Sequence, residues 1–214
     1  MNRNICIVGA GDFDISTFSP PKDAFIIAAD GGYSYLKAAS IKPNLLLGDF
    51  DSLKEQPDLE EVLVYPTVKD DTDTGIAAKL GLEKGYDTLY IYGATGGQRP
   101  EHTLANLQTL CMLSAKGAKA FIVTPDSTVY TAVTDGEVSF KENASGFFSI
   151  FCMGNEASEV SVEGAKYTLN NAQLSPFEPL GVSNEFIGAP ARIKVGNGTL
   201  IIIWHGRPSD LESL

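Results

Sequence analysis

Continuous apolar runs of strand length alternate with helical patterns along the first part of the chain. The runs fall at residues 4–9, 25–30, 45–48, 62–65, 88–92 and 120–124, and helical spacing predicts helices over 33–39, 74–84 and 102–115. The last helix is the best patterned. Leu104, Leu107, Leu110, Cys111 and Ser114 follow one face, and Gly117 supplies a C-terminal stop. Such an alternation predicts a mostly parallel sheet covered on both faces. After about Thr131 the texture changes. Short β-type runs at 137–140, 147–152, 159–162, 192–195 and 199–204 are separated by Gly, Asn and Ser, with no long helical pattern among them. Gly196-Asn197-Gly198 between the last two predicts a hairpin. The Pro-rich stretch 174–179 reads as a loop. The expected architecture is an α/β domain at residues 1–131 followed by a small all-β domain of sandwich type at 132–214.

Composition narrows the classes of function. The 214 residues are 43% hydrophobic and 20% charged, the balance of an ordinary folded chain with a real core. Sixteen Lys and Arg against 27 Asp and Glu leave a net charge of −11, which argues against general binding to nucleic acid or anionic membrane. A polyanionic substrate would then need a cation between it and these carboxylates. Cys6, Cys111 and Cys152 lie in apolar runs without CxxC spacing, so buried reduced thiols are expected rather than disulfides or a zinc site. Residues 1–13 hold no signal-peptide core and no apolar run approaches the length of a membrane span, so the expected location is the cytoplasm.

Ligands of open α/β sheets bind at the carboxyl ends of the strands, and unusual residues gather at those ends here. The run at 25–30 finishes in Asp30-Gly31-Gly32, that at 45–48 in Gly48-Asp49-Phe50-Asp51-Ser52. The run at 62–65 leads to Lys69-Asp70-Asp71-Thr72-Asp73, and that at 88–92 to Gly93-Ala94-Thr95-Gly96-Gly97-Gln98-Arg99. In extended backbone Asp49 and Asp51 leave the strand side by side, an arrangement that favours a cation between them. A lone pair of this kind is also met as a solvated acidic loop. Asp71 and Asp73 in the next loop shift the balance toward Mg2+, which takes one or two carboxylates and completes its shell with phosphates. Gly93 to Gly97, between a strand and a helix, suits a phosphate cradle of backbone N–H groups. It is no P-loop. Gly9-Ala10-Gly11 also follows a strand, but Asp14 stands where a dinucleotide fingerprint has its third glycine. Arg99 can fork onto a phosphate or pair with Glu101; Lys69 can meet phosphate or balance its acidic neighbours.

Taken together, these motifs resemble the thiamine pyrophosphokinase family. The resemblance rests on Asp30-Gly31-Gly32, Gly48-Asp49-Phe50-Asp51-Ser52, Asp70-Asp71-Thr72-Asp73, the glycine-rich segment from Gly93 to His102, and Val182-Ser183-Asn184-Glu185 in the β part. One departure is a glycine-rich segment that is one residue longer than the family's usual form, with Glu101 where Asp is usual. The resemblance implies a Rossmann-like first domain that binds ATP and metal, with Asp49, Asp51 and Asp73 holding Mg2+ against the phosphates. Asp30, Gly31, Lys69, Thr72, Gly93, Gly96 and Arg99 would lie around the nucleotide. It further implies that Ser183 and Asn184 help to hold thiamine, in a homodimer whose active sites lie at the subunit interface.

The implied reaction is attack of the thiamine hydroxyl on the β-phosphorus of ATP, giving thiamine diphosphate and AMP. Positioning and charge neutralisation dominate such transfers. Asp71 is a candidate proton acceptor, and Tyr167 and Trp204 are candidates for an aromatic cover over the flat cation, although either residue type is common in cores. Two other readings remain at this point: a metal-dependent phosphohydrolase, which the carboxylates fit equally well, and a non-catalytic nucleotide or thiamine sensor.

Overall fold

The computed structural model describes residues 3–48, 62–64 and 71–214. It divides into two units, one of Met1–Thr109 with Ile122–Pro125 and the other of Leu110–Phe121 with Asp126–Leu214.

In the first unit β1 (Asn4–Val8), β2 (Phe25–Ala29), β3 (Leu45–Gly48), β4 (Val62–Val64) and β5 (Thr88–Tyr92) form a parallel sheet in the order β5-β1-β2-β3-β4. Ile5, Cys6, Ile7 and Val8 have no exposed surface, and neither do Leu45, Leu46 and Leu47. Strands apolar on both faces require cover on both faces. Helix α1 (Gly32–Ala38) follows β2, and α2 (Asp73–Glu83) precedes β5. Thr72 caps α2, its Oγ1 accepting from Gly75 N at 3.0 Å. Ala77, Ala78 and Gly81 are buried, and a Cβ at Gly81 would stand 3.1 Å from Ile5, so small residues let this helix lie close on the sheet.

Helix α3 (Pro100–Ala115) starts two residues before the expected position, because Pro at the first helical position needs no N–H partner. Its buried face also differs. Asn106, Thr109, Leu110 and Leu113 are buried, whereas Leu104, expected on that face, is 57% exposed. The polar side chains can be buried because each has a backbone acceptor: Asn106 Nδ2 donates to Ala94 O at 2.7 Å and Thr109 Oγ1 to Ala105 O at 3.1 Å. No helix among the described residues is long and apolar enough to cross a membrane.

After β6 (Lys119–Val123), the second unit is built from β7 (Thr128–Thr134), β8 (Glu137–Phe140), β9 (Phe147–Glu163), β10 (Leu169–Leu174), β11 (Asn184–Glu185), β12 (Ala191–Lys194), β13 (Asn197–His205) and β14 (Leu211–Ser213). Two runs expected as separate strands, 147–152 and 159–162, are one strand of 17 residues. The exposed segment Gly154-Asn155-Glu156 interrupts the alternation of buried positions, which include Phe148, Ile150 and Cys152 before it and Ala157, Val160 and Val162 after it. The first half of β9 pairs with β13 and β11; the second half pairs with β12 and β10. One strand thereby serves two antiparallel sheets, the first completed by β7 and the second by β8 and β14.

The hairpin expected at Gly196-Asn197-Gly198 does not form. β12 pairs with β8 and β9, while β13 pairs with β7 and β9, so the turn carries the chain from one sheet to the other. Turn residues specify a change of direction, not the partner that the next strand finds. Between the sheets Phe140 meets Trp204 edge-on at 5.2 Å between centroids, with Phe148 and Phe186 completing the cluster. Contacts of this kind across two inner faces make the sandwich.

Cys6 and Cys152 are buried free thiols and Cys111 is half-buried. Burial raises all three thiols above their ordinary range, Cys111 to about 11.

Trp204 is 2% exposed, and its Nε1 donates to Asp210 Oδ2 at 3.3 Å. Trp204→Ala should therefore cost about 3–5 kcal/mol of unfolding free energy, read as a lower urea midpoint by circular dichroism. A loss below about 1 kcal/mol would mean that the indole is not the keystone of this core.

Candidate functional site

Strand β1 lies between β2 and β5. From β1 the chain builds outward through β2, β3 and β4, then returns on the other side as β5. The carboxyl ends of β1 and β5 therefore open a crevice at a topological switch point, where open α/β sheets bind ligands.

Two glycine segments leave the sheet there and run together. Gly9 N donates to Tyr92 O, Gly11 N to Gly93 O and Asp12 N to Thr95 O, each at 2.8 Å. A Cβ at Gly9 would lie 2.6 Å from Gly93 O, and one at Gly93 would collide with Gly9 O. The two backbones touch where side chains would stand. Gly93, Gly96 and Gly97 have φ of +60°, +71° and +74°, which L side chains rarely adopt. Asp12 Oδ1 accepts from Gly97 N at 3.1 Å and holds the far end of the loop.

A cavity of about 300 Å³ opens against these segments, lined by Gly11, Asp30, Gly93, Gly97, Arg99 and Asn106 among others. Asp30 is placed by a left-handed backbone, φ +48°, with its N–H on Leu47 O at 2.8 Å and its carbonyl accepting from Tyr33 N at 3.2 Å. Gly31 is the N-cap of α1. Gly96 belongs to the lining, and so does Thr74 of the first turn of α2. The cavity thus offers glycine backbone and one arginine to an anion. Arg99 is occupied as it stands, its Nε donating to Glu101 Oε1 at 2.9 Å with both side chains exposed. That bond holds the Glu101 carboxyl below its ordinary range.

Of the acidic motifs, Asp49, Asp51 and Lys69 lie outside the described residues. Asp73 opens α2, beside the cavity-lining Thr74. Asp71 is tied to its own chain: Oδ1 accepts from Thr72 N at 2.8 Å, and Oδ2 lies 2.6 Å from Lys79 Nζ in an ion-pair contact without hydrogen-bond alignment. The Thr72 hydroxyl is likewise engaged in its cap. Both residues shape the turn that presents Asp73.

In the second unit Ser183 is exposed with φ +59°, its N–H on Ser149 Oγ at 3.0 Å. Asn184 is buried, its amide clamping two segments. Nδ2 donates to Tyr167 O at 2.6 Å, and Oδ1 accepts from Tyr167 N at 3.0 Å and Glu185 N at 2.9 Å. The clamp leaves Tyr167 61% exposed beside Ser183-Asn184, with Lys166 Nζ 5.8 Å from its ring centre. Trp204, expected as an alternative aromatic cover, is withdrawn from that role. Its indole is packed inside the sandwich among phenylalanines, 2% exposed.

Two residues of the first unit escaped the sequence reading, Asp12 and Asn106. Asn106 had a legible signal: a polar side chain at i−4 and i−7 from Leu110 and Leu113, on what proves to be the buried face. Asp12 had none, because its partner is 85 residues away.

Comparison with known proteins covers both units. Residues 21–122 match the family described as "Thiamin pyrophosphokinase, catalytic domain", and residues 137–200 match "Thiamin pyrophosphokinase, vitamin B1 binding domain". The chain is 32% identical over 184 residues to the thiamine pyrophosphokinase of Bacillus subtilis, spanning 83% of this chain and 85% of that one. The crystal structure of a Bacillus subtilis thiamine pyrophosphokinase superposes with a TM-score of 0.82 at 29% identity, over 96% of this chain and all of the other. That of a thiamin pyrophosphokinase from Geobacillus thermodenitrificans gives 0.81 at 28% identity, over 96% and 99%.

The glycine contacts separate two kinds of cost. Gly97→Ala meets open space, its nearest neighbour 4.0 Å away, and should lose only the roughly 1–2 kcal/mol of a left-handed backbone. Gly93→Ala adds overlap with Gly9 O and should lose about 1–3 kcal/mol more. Paired urea titrations measure the difference; equal losses would show that the two backbones do not touch.

Proposed function

The chain belongs to the thiamine pyrophosphokinase family, and from that membership we propose how it transfers pyrophosphate from ATP to thiamine. The observation that carries the reading is the match of both halves to the two parts of one family, together with a glycine-walled cavity at the switch point of the first. Residues 1–131 act as the catalytic domain and 132–214 as the thiamine-binding domain.

ATP enters along the glycine segments, with Gly93 and Gly96 offering backbone N–H groups and close approach. Asp30 and Gly31 form the neighbouring wall, and Lys69 and Arg99 supply positive charge to the phosphates. For Arg99 this means exchanging Glu101 for phosphate, a small cost at an exposed pair. The carboxylates of Asp49, Asp51 and Asp73 are the Mg2+ ligands. Among the described residues no three ligating side chains gather, two of these three lying outside them; Asp73, at the head of α2 next to the cavity, offers the hard oxygen such an ion takes. When bound, the ion neutralises phosphate charge that an acidic protein would otherwise repel. Asp71 and Thr72 hold the loop, since their side-chain oxygens already serve Thr72 N–H, Lys79 and Gly75 N–H.

Thiamine rests against Ser183 and Tyr167, whose ring can cover a flat cation, while Asn184 fixes the distance between them. The thiamine hydroxyl attacks the β-phosphorus in line and AMP leaves. The working unit is a homodimer in the cytoplasm, each active site joining the first domain of one subunit to the second of its partner.

With ATP, Mg2+ and thiamine the protein should release one AMP for each thiamine diphosphate, identified by chromatography. ADP with thiamine monophosphate, or nucleotide consumption indifferent to thiamine, would overturn the reaction. Asp73→Asn should lower turnover about a hundredfold or more with an unchanged far-UV spectrum. A folded variant with wild-type turnover and Mg2+ requirement would remove Asp73 from the metal site.

A further inference from the structure

Asn106 sits 4% exposed on α3, in the lining of the cavity that receives the nucleotide. Its Nδ2 donates to Ala94 O at 2.7 Å, and Ala94 lines the same cavity. A carbonyl oxygen only accepts, so this bond fixes which end of the amide is nitrogen. Oδ1 is then the free end, buried and with no hydrogen-bond partner among the described residues. Buried side-chain acceptors nearly always have a donor, and those left without one mark a missing ligand or water.

We propose that Asn106 Oδ1 accepts a hydrogen bond from the nucleoside half of ATP and is a determinant of nucleotide choice. The inference rests on the functional reading above. An acceptor-only atom selects among the groups that ATP carries. Phosphate oxygens at neutral pH hold almost no proton to give, whereas the sugar hydroxyls and the exocyclic amine of adenine do. The rest of the cavity divides the work in a matching way: glycine N–H groups and Arg99 meet anions, and Asn106 meets a donor. The bond to Ala94 makes this recognition rigid, because Ala94 stands between Gly93 and the remaining glycines of the same loop. Loop position and nucleoside position are thereby set by one amide.

A site built to bond a ligand N–H or O–H rejects the analogue that lacks it, since the protein group is left unpaired. Steady-state kinetics with saturating thiamine and Mg2+ test this with ATP, 2′-deoxy-ATP, 3′-deoxy-ATP and the 6-desamino purine riboside triphosphate. One of the three analogues should lose about 10- to 100-fold in kcat/KM with the wild-type protein, and which one distinguishes sugar from base. Asn106→Leu keeps the volume and removes the acceptor. It should lose a similar factor with ATP, use ATP and that analogue equally, and keep the wild-type KM for thiamine. A merely structural role would lower all four nucleotides together and preserve their ratios. Asn106→Ala takes its place should the leucine variant fail to fold.

Equal use of all three analogues by the wild type overturns the proposal. So does a penalty that persists in the variant, or a defect confined to thiamine. Absence of any thiamine diphosphate from wild type, ATP and thiamine would instead overturn the functional reading itself.

Discussion

Everything at the site depends on two backbones lying in contact where β1 and β5 leave the sheet. Gly9 and Gly93 exclude side chains from each other's space, and the ladder of hydrogen bonds continues past the strand ends through Gly11 and Asp12. A loop of this length would ordinarily be mobile at a sheet edge. Here it is zipped to its neighbour at one end and held by the Asp12 carboxylate at the other. The glycine segments that line the cavity are thereby held in one conformation, the preorganisation on which binding of a highly charged substrate relies.

The charge of the chain makes this arrangement necessary. A protein of net charge −11 that handles ATP cannot depend on a general basic surface. Attraction has to be local, from backbone dipoles and a few cations. The acidic residues around the strand ends are therefore divided by task. Asp71 secures a loop by pairing with Thr72 N–H and Lys79, and Asp12 does the same for the glycine segment. Asp73 stands at the head of a helix, where the positive end of the macrodipole favours its charge.

The second domain solves a different problem, that of presenting a few groups on a stiff support. A single long strand, β9, belongs to both sheets, and four aromatic rings fill the space between them. Asn184 exerts its influence through the backbone of Tyr167. Removing that amide would release two segments at once, so it positions the exposed Tyr167 and Ser183.

Much was legible in the order of residues. Six strands and three helices of the first domain fall within two residues of where apolar period and punctuation put them, because strands buried on both faces and helices with caps leave local marks. The motifs Asp30-Gly31-Gly32, Asp71-Thr72-Asp73 and Gly93 to Gly97 were visible for the same reason: each is contiguous. What the order of residues did not contain was partnership. Gly196-Asn197-Gly198 looks the same whether the next strand folds back or crosses to another sheet. Trp204 looks the same as a ligand cover or a core ring. Asp12, Asn106 and Asn184 acquire their roles from atoms 85, 12 and 17 residues away. Local sequence determined which elements form and which chemistry they carry, since backbone conformation and side-chain type are local properties. Only the tertiary structure decided which polar groups are already satisfied and which remain for a ligand, since that depends on neighbours brought together by folding.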